Sequence, residues 1–225
     1  MRRIGLLVLV CIVLSVVCVL VLRFIAPPTS AFMLARAIEA RVNGDRTLRI
    51  DYRWTPIEQI SAHMPIAAVA AEDQRFPVHR GFDVDAIRTA LADAEEGARL
   101  RGASTISQQV AKNLFLWNGR SYVRKGLEVW FTVLIEFLWP KQRIIEVYLN
   151  IAEFGDGIYG VGAASQRYYG RPPDALDARQ AALLMAVVPS PRRLHVDRPS
   201  AYVQGRAAWI QRQMNQLGGP GYLDR

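Results

Sequence analysis

An uncharged apolar stretch near the N-terminus places the first constraint on this chain. From Ile4 to Leu22 no residue is charged, and Leu, Val, Ile and Cys dominate. As a helix the stretch would measure roughly 28 Å, enough to cross the hydrocarbon core of a bilayer. A cleaved signal peptide is the alternative, but the stretch exceeds a usual signal-peptide core and no small-x-small cleavage site follows before Arg23. We therefore predict an uncleaved single-pass anchor over residues 1–23.

The basic balance of the chain suits a membrane surface. Setting aside Arg2, Arg3 and Arg23, which flank the apolar stretch, lowers the net charge from +8 to +5. A basic domain held beside a bilayer fits anionic headgroups or a phosphate-bearing lipid substrate. We predict no nucleic-acid partner, because the chain is tethered and has no basic motif with stacked aromatics. Arginines on both sides give only a slight bias, toward the N-terminus inside and the domain outside.

The cysteines and histidines exclude several kinds of site. Cys11 and Cys18 both fall inside the apolar stretch, so the rest of the chain has no thiol for a disulfide or a nucleophile. This usage permits an oxidising compartment without requiring one. His63, His79 and His195 show no metal-ligand spacing, so we expect no zinc site.

The chain beyond the anchor reads as a tether followed by one mostly α domain. Pro27-Pro28 ends the anchor, and residues 24–50 form a tether with a short helix from Ala31 to Val42. Thr55-Pro56-Ile57-Glu58 has the pattern of a capped helix start. No alternating apolar pattern of any length predicts a strand. Within the domain, 51–225, we predict helices near 56–62, 65–75, 83–97, 105–116, 122–138, 141–150, 157–168, 177–187 and 199–217.

An alanine-rich apolar run leads directly into two carboxylates, Glu72 and Asp73. A packed helix rarely ends in this way unless its acids face a cleft, so we predict that Glu72 is a catalytic base. The alternative is that both acids are solvated charges at a helix end.

A second motif combines a helix start with amides and a cation. Thr105 and Gln108 have capping-box spacing, while Gln109 and Lys112 lie one turn apart on one face. Such a helix start offers N–H groups, its dipole and a positive charge to one anion. An ordinary capped helix with a solvated Lys112 is the other interpretation.

A third motif places a carboxylate among cations. Arg124 lies four residues before Glu128 and Lys125 lies three before it, at the start of a long apolar helix. A salt bridge with a structural role alone is the alternative for Glu128. We predict that Glu136, deeper in the same helix, is a satisfied core or interfacial acid. Glu146, Tyr148 and Asn150 in the next helix are interpreted chiefly as scaffold.

Taken together, these motifs resemble the peptidoglycan glycosyltransferase family. They are Glu72-Asp73-x-x-Phe76-x-x-His79-x-Gly81-Phe82-Asp83, Gly102-x-Ser104-Thr105-Ile106-x-Gln108-Gln109-x-x-Lys112-Asn113, Arg124-Lys125-x-x-Glu128 and Ile145-Glu146-x-Tyr148-Leu149-Asn150. The likeness runs from about Tyr52 to Pro191 and is closest to monofunctional members from Gram-negative bacteria. No Ser-x-x-Lys of an appended transpeptidase occurs. Pro77 and the Tyr168-Tyr169-Gly170 run depart from the usual pattern, outside the charged positions.

The resemblance implies a fold, a substrate and a location. The fold would be mostly α, with a lysozyme-like lobe and a smaller membrane-facing lobe. The activity would be polymerisation of lipid II, a disaccharide-peptide carried on undecaprenyl diphosphate, with the nascent glycan strand as the other substrate. The domain would lie on the periplasmic side of the inner membrane, beside membrane lipids. Other cell-wall synthesis or division proteins are further candidate partners.

The resemblance also implies site residues. Glu72 and Glu128 would be catalytic, with Glu72 taking the proton of the acceptor 4-OH. Cations would neutralise the diphosphate leaving group, to which a divalent ion such as Mg²⁺ or Mn²⁺ could add, although no cofactor is firmly implied. The substrate-binding set would be Asp73, Phe76, His79, Ser104, Thr105, Gln108, Gln109, Lys112, Asn113, Arg120, Arg124 and Lys125.

Two other functions fit part of the sequence. A lysozyme-like lytic enzyme could also use one glutamate in an α lobe, but cleaving a sugar–sugar bond gives the cations no diphosphate to neutralise. A non-catalytic membrane scaffold would leave the combination of Glu72, Gln109, Lys112 and Glu128 unexplained.

Overall fold

The structure, a computed structural model, describes residues 2–95, 104–119 and 121–224. Within these ranges the chain is mostly helical, as predicted, with three short strands and three 3-10 turns. The helices are α1 (Arg2–Leu22), α2 (Ala31–Val42), α3 (His63–Glu72), α4 (Val84–Glu95), α5 (Ile106–Phe115), α6 (Tyr122–Leu138), α7 (Lys141–Ile151), α8 (Gly160–Tyr169), α9 (Ala178–Val187) and α10 (Ala201–Gln216). The strands are β1 (Asp51–Tyr52), β2 (Glu153–Gly155) and β3 (Ile158–Tyr159).

Helix α1 has the length and composition of a membrane anchor. It is 21 residues long, and within the described ranges no other helix is long and apolar enough to cross a bilayer. Most of its side chains are exposed, as expected of a helix that lies in lipid. Its C-terminal half is attached to the domain: the indole N–H of Trp130 donates to Ser15 Oγ (3.1 Å), and that of Trp139 donates to the carbonyl of Val19 (2.8 Å).

Helix α2 of the predicted tether is docked on the domain. The Ser30 hydroxyl accepts the N–H of Met33 and so caps the helix start. Arg36, almost fully buried, forms a two-point ion pair with Asp156 at 2.8 and 2.9 Å. The segment between anchor and domain is therefore fixed against the glycine turn that follows β2.

Helix α3 forms the centre of the core. Every residue from Met64 to Ala70 is buried, and the helix packs against α7, α9 and α10. A helix that is apolar on all sides is a buried one, and its alanines allow the neighbouring helices to approach closely. It ends at Glu72, because Asp73 has left helical geometry with φ −161°. The buried helix thus delivers Glu72 at its C-terminal end.

The predicted helix over 56–62 is wrong: only a 3-10 turn, Ile57–Gln59, forms there. The reason is competition from α7 for the backbone groups. The side chain of Asn150 bonds both the N–H and the carbonyl of Thr55 at 2.8 Å, and a carboxylate oxygen of Glu146 accepts the N–H of Ile57 at 3.1 Å. Thr55 therefore does not cap a helix, and the scaffold role predicted for Glu146 and Asn150 is confirmed.

The sheet was not predicted from the sequence, and α8 begins later than predicted. Three short strands pair in the order β1-β3-β2, with β1 parallel and β2 antiparallel to β3. Because β3 uses Ile158–Tyr159, α8 starts at Gly160 rather than at 157. Gly160 has φ +82°, and an added Cβ there would lie 2.6 Å from the carbonyl oxygen of Asn150. Strands of two or three residues are too short to show an alternating pattern.

Candidate active site

A cleft of about 340 Å³ opens at the C-terminal end of α3. Glu72 of α3 and Trp209 of α10 both line it. The remaining lining residues are Ala70, Ala71, Asp73, Gln74, Arg75, Asp83, Ala86, Ser104 and Thr105. The alternative of solvated end-of-helix charges does not hold, because the Glu72 side chain is only 16% exposed and Asp73 is buried.

Two helices hold the Glu72 carboxylate from different sides. The amide Nε2 of Gln109 on α5 donates to one carboxylate oxygen at 3.0 Å. The guanidinium of Arg206 on α10 lies 3.4 Å from the other. Burial raises the pKa of Glu72 above its ordinary value, while Gln109, Arg206 and Lys112 act in the opposite direction. A carboxyl group with a raised pKa beside a cleft is suited to accept a proton.

Asp73 has a different environment from its neighbour. His79 Nε2 lies 2.9 Å from each of its carboxylate oxygens, and the backbone N–H of Ile106 donates to it at 2.9 Å. The His79 Nδ1 accepts the N–H of Gly81, so its Nε2 carries the hydrogen donated to Asp73. Asp73 therefore ties the end of α3 to the start of α5, and its contact with substrate stays a prediction.

The N–H groups at the start of α5 are hydrogen-bonded to side chains of the protein itself. Thr105 and Gln108 form the predicted capping box, and the Thr105 hydroxyl donates to the carbonyl of Gly81 at 2.7 Å. The first N–H groups of the helix are taken by Asp73 and Thr105. The predicted anion at this helix start is thus a carboxylate of the protein itself. Ser104, just before the helix, is exposed and lines the cleft.

A cationic cluster stands around Glu128, which is buried at 3% exposure. Its two carboxylate oxygens face Arg124 Nη1 at 2.7 Å and Lys125 Nζ at 2.5 Å. The predicted contacts three and four residues apart on α6 are confirmed. Both oxygens are occupied by cations, so the carboxylate holds these two side chains in place.

Lys112 connects the cationic cluster with Glu72. Burial lowers the pKa of Lys112. The negative charges of Glu128 and Glu72 act to raise this pKa. The positive charges of Arg124 and Lys125 act to lower it. Its ammonium group lies 5.7 Å from the ring centre of Phe32 on α2. Glu72 and the cations therefore belong to one electrostatic site that α5 spans from Gln109 to Lys112.

The other predicted site residues have mixed positions. Phe76 is 1% exposed, and its ring lies 4.6 Å from Lys141 Nζ, so it belongs to the core. Asn113 Oδ1 is buried and has no hydrogen-bond partner among the described residues. Glu136 pairs with Lys141 at 2.8 Å and bonds Ser107, which confirms that it is a satisfied acid. Arg120 lies outside the described residues.

Two residues of the site were missed from the sequence, Arg206 and Trp209. Both belong to α10, to which the motifs assigned no function. Their spacing of three residues places them on one face of a helix, which was the available signal. Burial raises the pKa of the Tyr148 hydroxyl, and the charge of Glu72 raises it further. Tyr148 therefore lies close to Glu72.

A divalent metal does not fit the residues near the cations. Mg²⁺ and Mn²⁺ favour carboxylate and other oxygen ligands. Here the carboxylate that lies among the cations, Glu128, already faces Arg124 and Lys125. Within the described ranges no group of three or more His, Cys, Asp or Glu side chains is arranged to hold a metal ion.

The mostly helical fold thus carries a cleft in which a largely buried glutamate is held by an amide and a guanidinium group. The transglycosylase family profile matches residues 42–215, so the chain belongs to that family. It is 56% identical over 223 residues to a protein of Xylella fastidiosa (strain 9a5c) named biosynthetic peptidoglycan transglycosylase, covering 99% of this chain and 92% of that protein. A protein of the same name from Xanthomonas axonopodis pv. citri (strain 306) is 56% identical over 209 residues, covering 93% and 85%.

Proposed function

We propose that this chain is a peptidoglycan glycosyltransferase that polymerises lipid II into linear glycan strands. The name shared by its relatives supports this function, and so does the family to which the chain belongs. The single observation that carries the mechanism is that α5 joins Glu72, through Gln109, to the cations around Lys112. Such a site serves a reaction that needs a base at one end and a receptor for negative charge at the other.

Glu72 is the general base of the proposed reaction. The 4-OH of the acceptor sugar attacks the anomeric carbon of the lipid-linked growing chain, and its proton passes to the Glu72 carboxylate. Attack opposite the diphosphate inverts the α linkage to β. A raised pKa suits this role, because a more basic carboxylate accepts the proton more readily. Gln109 keeps the carboxylate oriented by donating to one of its oxygens.

The cations receive the charge that develops on the leaving group. As the bond from the anomeric carbon to the diphosphate breaks, its electron pair stays on the undecaprenyl diphosphate. Lys112, Arg124 and Lys125 oppose one carboxylate, Glu128, so two positive charges remain for the diphosphate. Charges held in place before the reaction stabilise such a transition state without reorganising.

Glu128 is proposed to act through the cations rather than on the reacting atoms. Its oxygens face Arg124 and Lys125, and it raises the pKa of Lys112 against the lowering effect of burial. These contacts support a role in orienting the cations. Holding a sugar hydroxyl would require one of these pairs to open.

The proposed location follows from α1 and the substrate. A domain attached to an anchor through Trp130 and Trp139 remains near the bilayer surface, where a lipid diphosphate lies. We place α1 in the inner membrane and the domain on the periplasmic side. Other proteins of cell-wall synthesis or division remain candidate partners.

Incubation of the purified full-length chain with lipid II tests the function directly. We expect glycan strands longer than the substrate to accumulate on a gel, together with released undecaprenyl diphosphate. The same protein given purified sacculi should release no soluble fragments. Fragments from sacculi without strands from lipid II would establish a lytic enzyme, and no reaction with either would favour a scaffold.

A further inference from the structure

Helix α10 brings a guanidinium group to the carboxylate that the proposed mechanism uses as its base. Arg206 Nη2 lies 3.4 Å from Glu72 Oε1, while Gln109 Nε2 bonds Oε2 of the same carboxylate. Each oxygen therefore faces a donor from a different helix. The Glu72 side chain is 16% exposed and that of Arg206 is 24% exposed, so water screens this pair only in part.

The C-terminal segment fixes Arg206 firmly in this place. Helix α10 buries Val203, Ala207, Ile210 and Met214 against the core and packs on α9 and α3. Further along the helix, Gln213 Oε1 accepts from Gln74 Nε2 at 3.1 Å. Beyond the helix, the Tyr222 hydroxyl donates to the carbonyl of Gln74 at 2.8 Å. The segment that carries Arg206 thus also holds the chain two residues beyond Glu72.

The hydrogen bonding of Arg206 is unusual for an arginine with a purely structural role. Its Nε is buried and has no hydrogen-bond partner among the described residues. An unsatisfied buried donor destabilises a fold, and such groups occur where a side chain serves another purpose. Glu72 is the one acid within 4.0 Å of this guanidinium in the described part of the chain.

We propose that Arg206 is a positioning residue that holds Glu72 ionised and directed into the cleft. This role rests on the proposed function of Glu72 as a base. A base must be deprotonated when the acceptor hydroxyl arrives, and burial at the end of an apolar helix opposes that state. A cation placed at one oxygen restores the ionised form and leaves the carboxylate in the cleft. The sequence motifs that identify the base include no residue of α10.

Three charged groups act on the charge of Glu72, and a buried tyrosine lies beside them. Lys112 on α5 and Arg206 on α10 favour the ionised form, whereas Asp73 next to it on the chain opposes it. Tyr148 on α7 is buried beside the site, and its hydroxyl has no hydrogen-bond partner among the described residues. Lys112 is itself within reach of three other charges of the cationic cluster, so Arg206 is the cation most specific to Glu72.

The test is the pH profile of lipid II polymerisation by the full-length enzyme. Replacement of Arg206 by Met removes the charge at similar side-chain length, and Arg206→Lys retains it. We expect the acidic limb of the Arg206→Met profile to move up by about one pH unit, and its rate at low pH to fall about tenfold. At high pH its rate should approach that of the wild type. Arg206→Lys should keep its limb near the wild-type position.

A matched control on the same helix separates charge from packing. Gln213→Met changes a side chain of α10 that touches Gln74 rather than Glu72, and its acidic limb should not move. If Arg206→Met lowers the rate equally at every pH, or leaves it unchanged, the proposal is wrong. Arg206→Gln is a second neutral variant, for use if Arg206→Met fails to fold.

A substrate-free measurement separates this proposal from the proposed function. The carboxyl infrared band that Glu72→Gln removes follows the protonation of Glu72 in the absence of lipid II. The midpoint of that band should rise by about one pH unit in Arg206→Met. A shift in an enzyme that does not polymerise lipid II would support the Arg206–Glu72 coupling and refute the function. An unshifted midpoint in an enzyme that polymerises lipid II would refute the Arg206–Glu72 coupling and support the function.

Discussion

Replacing Asp73 by alanine should destabilise the domain strongly, because this carboxylate joins two parts of the site. The side chain is 2% exposed, with His79 Nε2 and the Ile106 N–H as its donors. A hydrogen bond to a charged group contributes about 1.5–3 kcal/mol. Without the carboxylate both donors lack a partner, so the free energy of unfolding should fall by about 3–5 kcal/mol. Breaking a buried ion pair costs about the same. For a chain of this size that lowers Tm by roughly 10 °C.

Thermal unfolding in detergent, followed by circular dichroism, measures this effect. Asp73→Asn retains an amide oxygen for the Ile106 N–H and should lose less than Asp73→Ala. Asp85→Ala is the control, because this acid is 66% exposed and pairs with Arg75 at the surface. Its effect should stay within about 0.5 kcal/mol. A wild-type Tm for Asp73→Ala, with a raised KM for lipid II, would refute the structural role and favour contact with substrate.

Two further predictions concern the cations and the packing near β1. Lys112→Ala should raise the apparent KM for the lipid-linked donor roughly 10–100-fold, since a charge-assisted bond contributes about 1.5–3 kcal/mol. An unchanged KM in a steady-state assay would contradict this prediction. Gly162→Ala should cost about 1–3 kcal/mol in a thermal unfolding experiment, because the new Cβ would press on the Thr55 hydroxyl and lie 2.8 Å from the Arg53 carbonyl. The control, Gly126→Ala in α6, meets no atom within 4 Å and should be stabilising by up to about 1 kcal/mol; equal effects of the two changes would contradict the packing argument.

Local chemistry made the start of α5 predictable. The capping box of Thr105 and Gln108 defines the start of α5, since both partners lie within one turn. The same pattern misled at Thr55. There the N–H groups of Thr55 and Ile57 bond to Asn150 and Glu146, which lie far along the chain. Tertiary partners of this kind override a local propensity and leave no trace in a short window of sequence.

The site was predictable where its residues are linked by short spacing. Gln109 and Lys112 lie one turn apart, and the structure places both near Glu72. The contact of Asp73 with substrate stays a prediction, and its bonds to His79 and to the N–H of Ile106 were not predicted. The bond to Ile106 joins residues 33 positions apart, so local spacing does not reveal it. Arg206 was not predicted, because it meets Glu72 only after α10 packs against α3.

The stability of a Glu72→Gln variant follows from the sign of the pKa shift. Because burial raises the folded-state pKa of Glu72, this group favours folding below its unfolded pKa, and that contribution is lost as the pH rises through the folded pKa. At neutral pH the ionised carboxylate therefore opposes folding. Glutamine is neutral and similar in shape, so the variant should unfold at the wild-type Tm or above it. A clear loss of Tm would contradict the raised pKa.

The polymerisation rate of that folded variant with purified lipid II tests the central claim most directly. If Glu72 accepts the proton of the acceptor hydroxyl, Glu72→Gln should lower the rate by about 10²–10⁴-fold, the usual contribution of a general base. The wild type, assayed in parallel, should produce long strands. A folded Glu72→Gln protein that polymerises lipid II at a rate near that of the wild type would show that another group removes the proton.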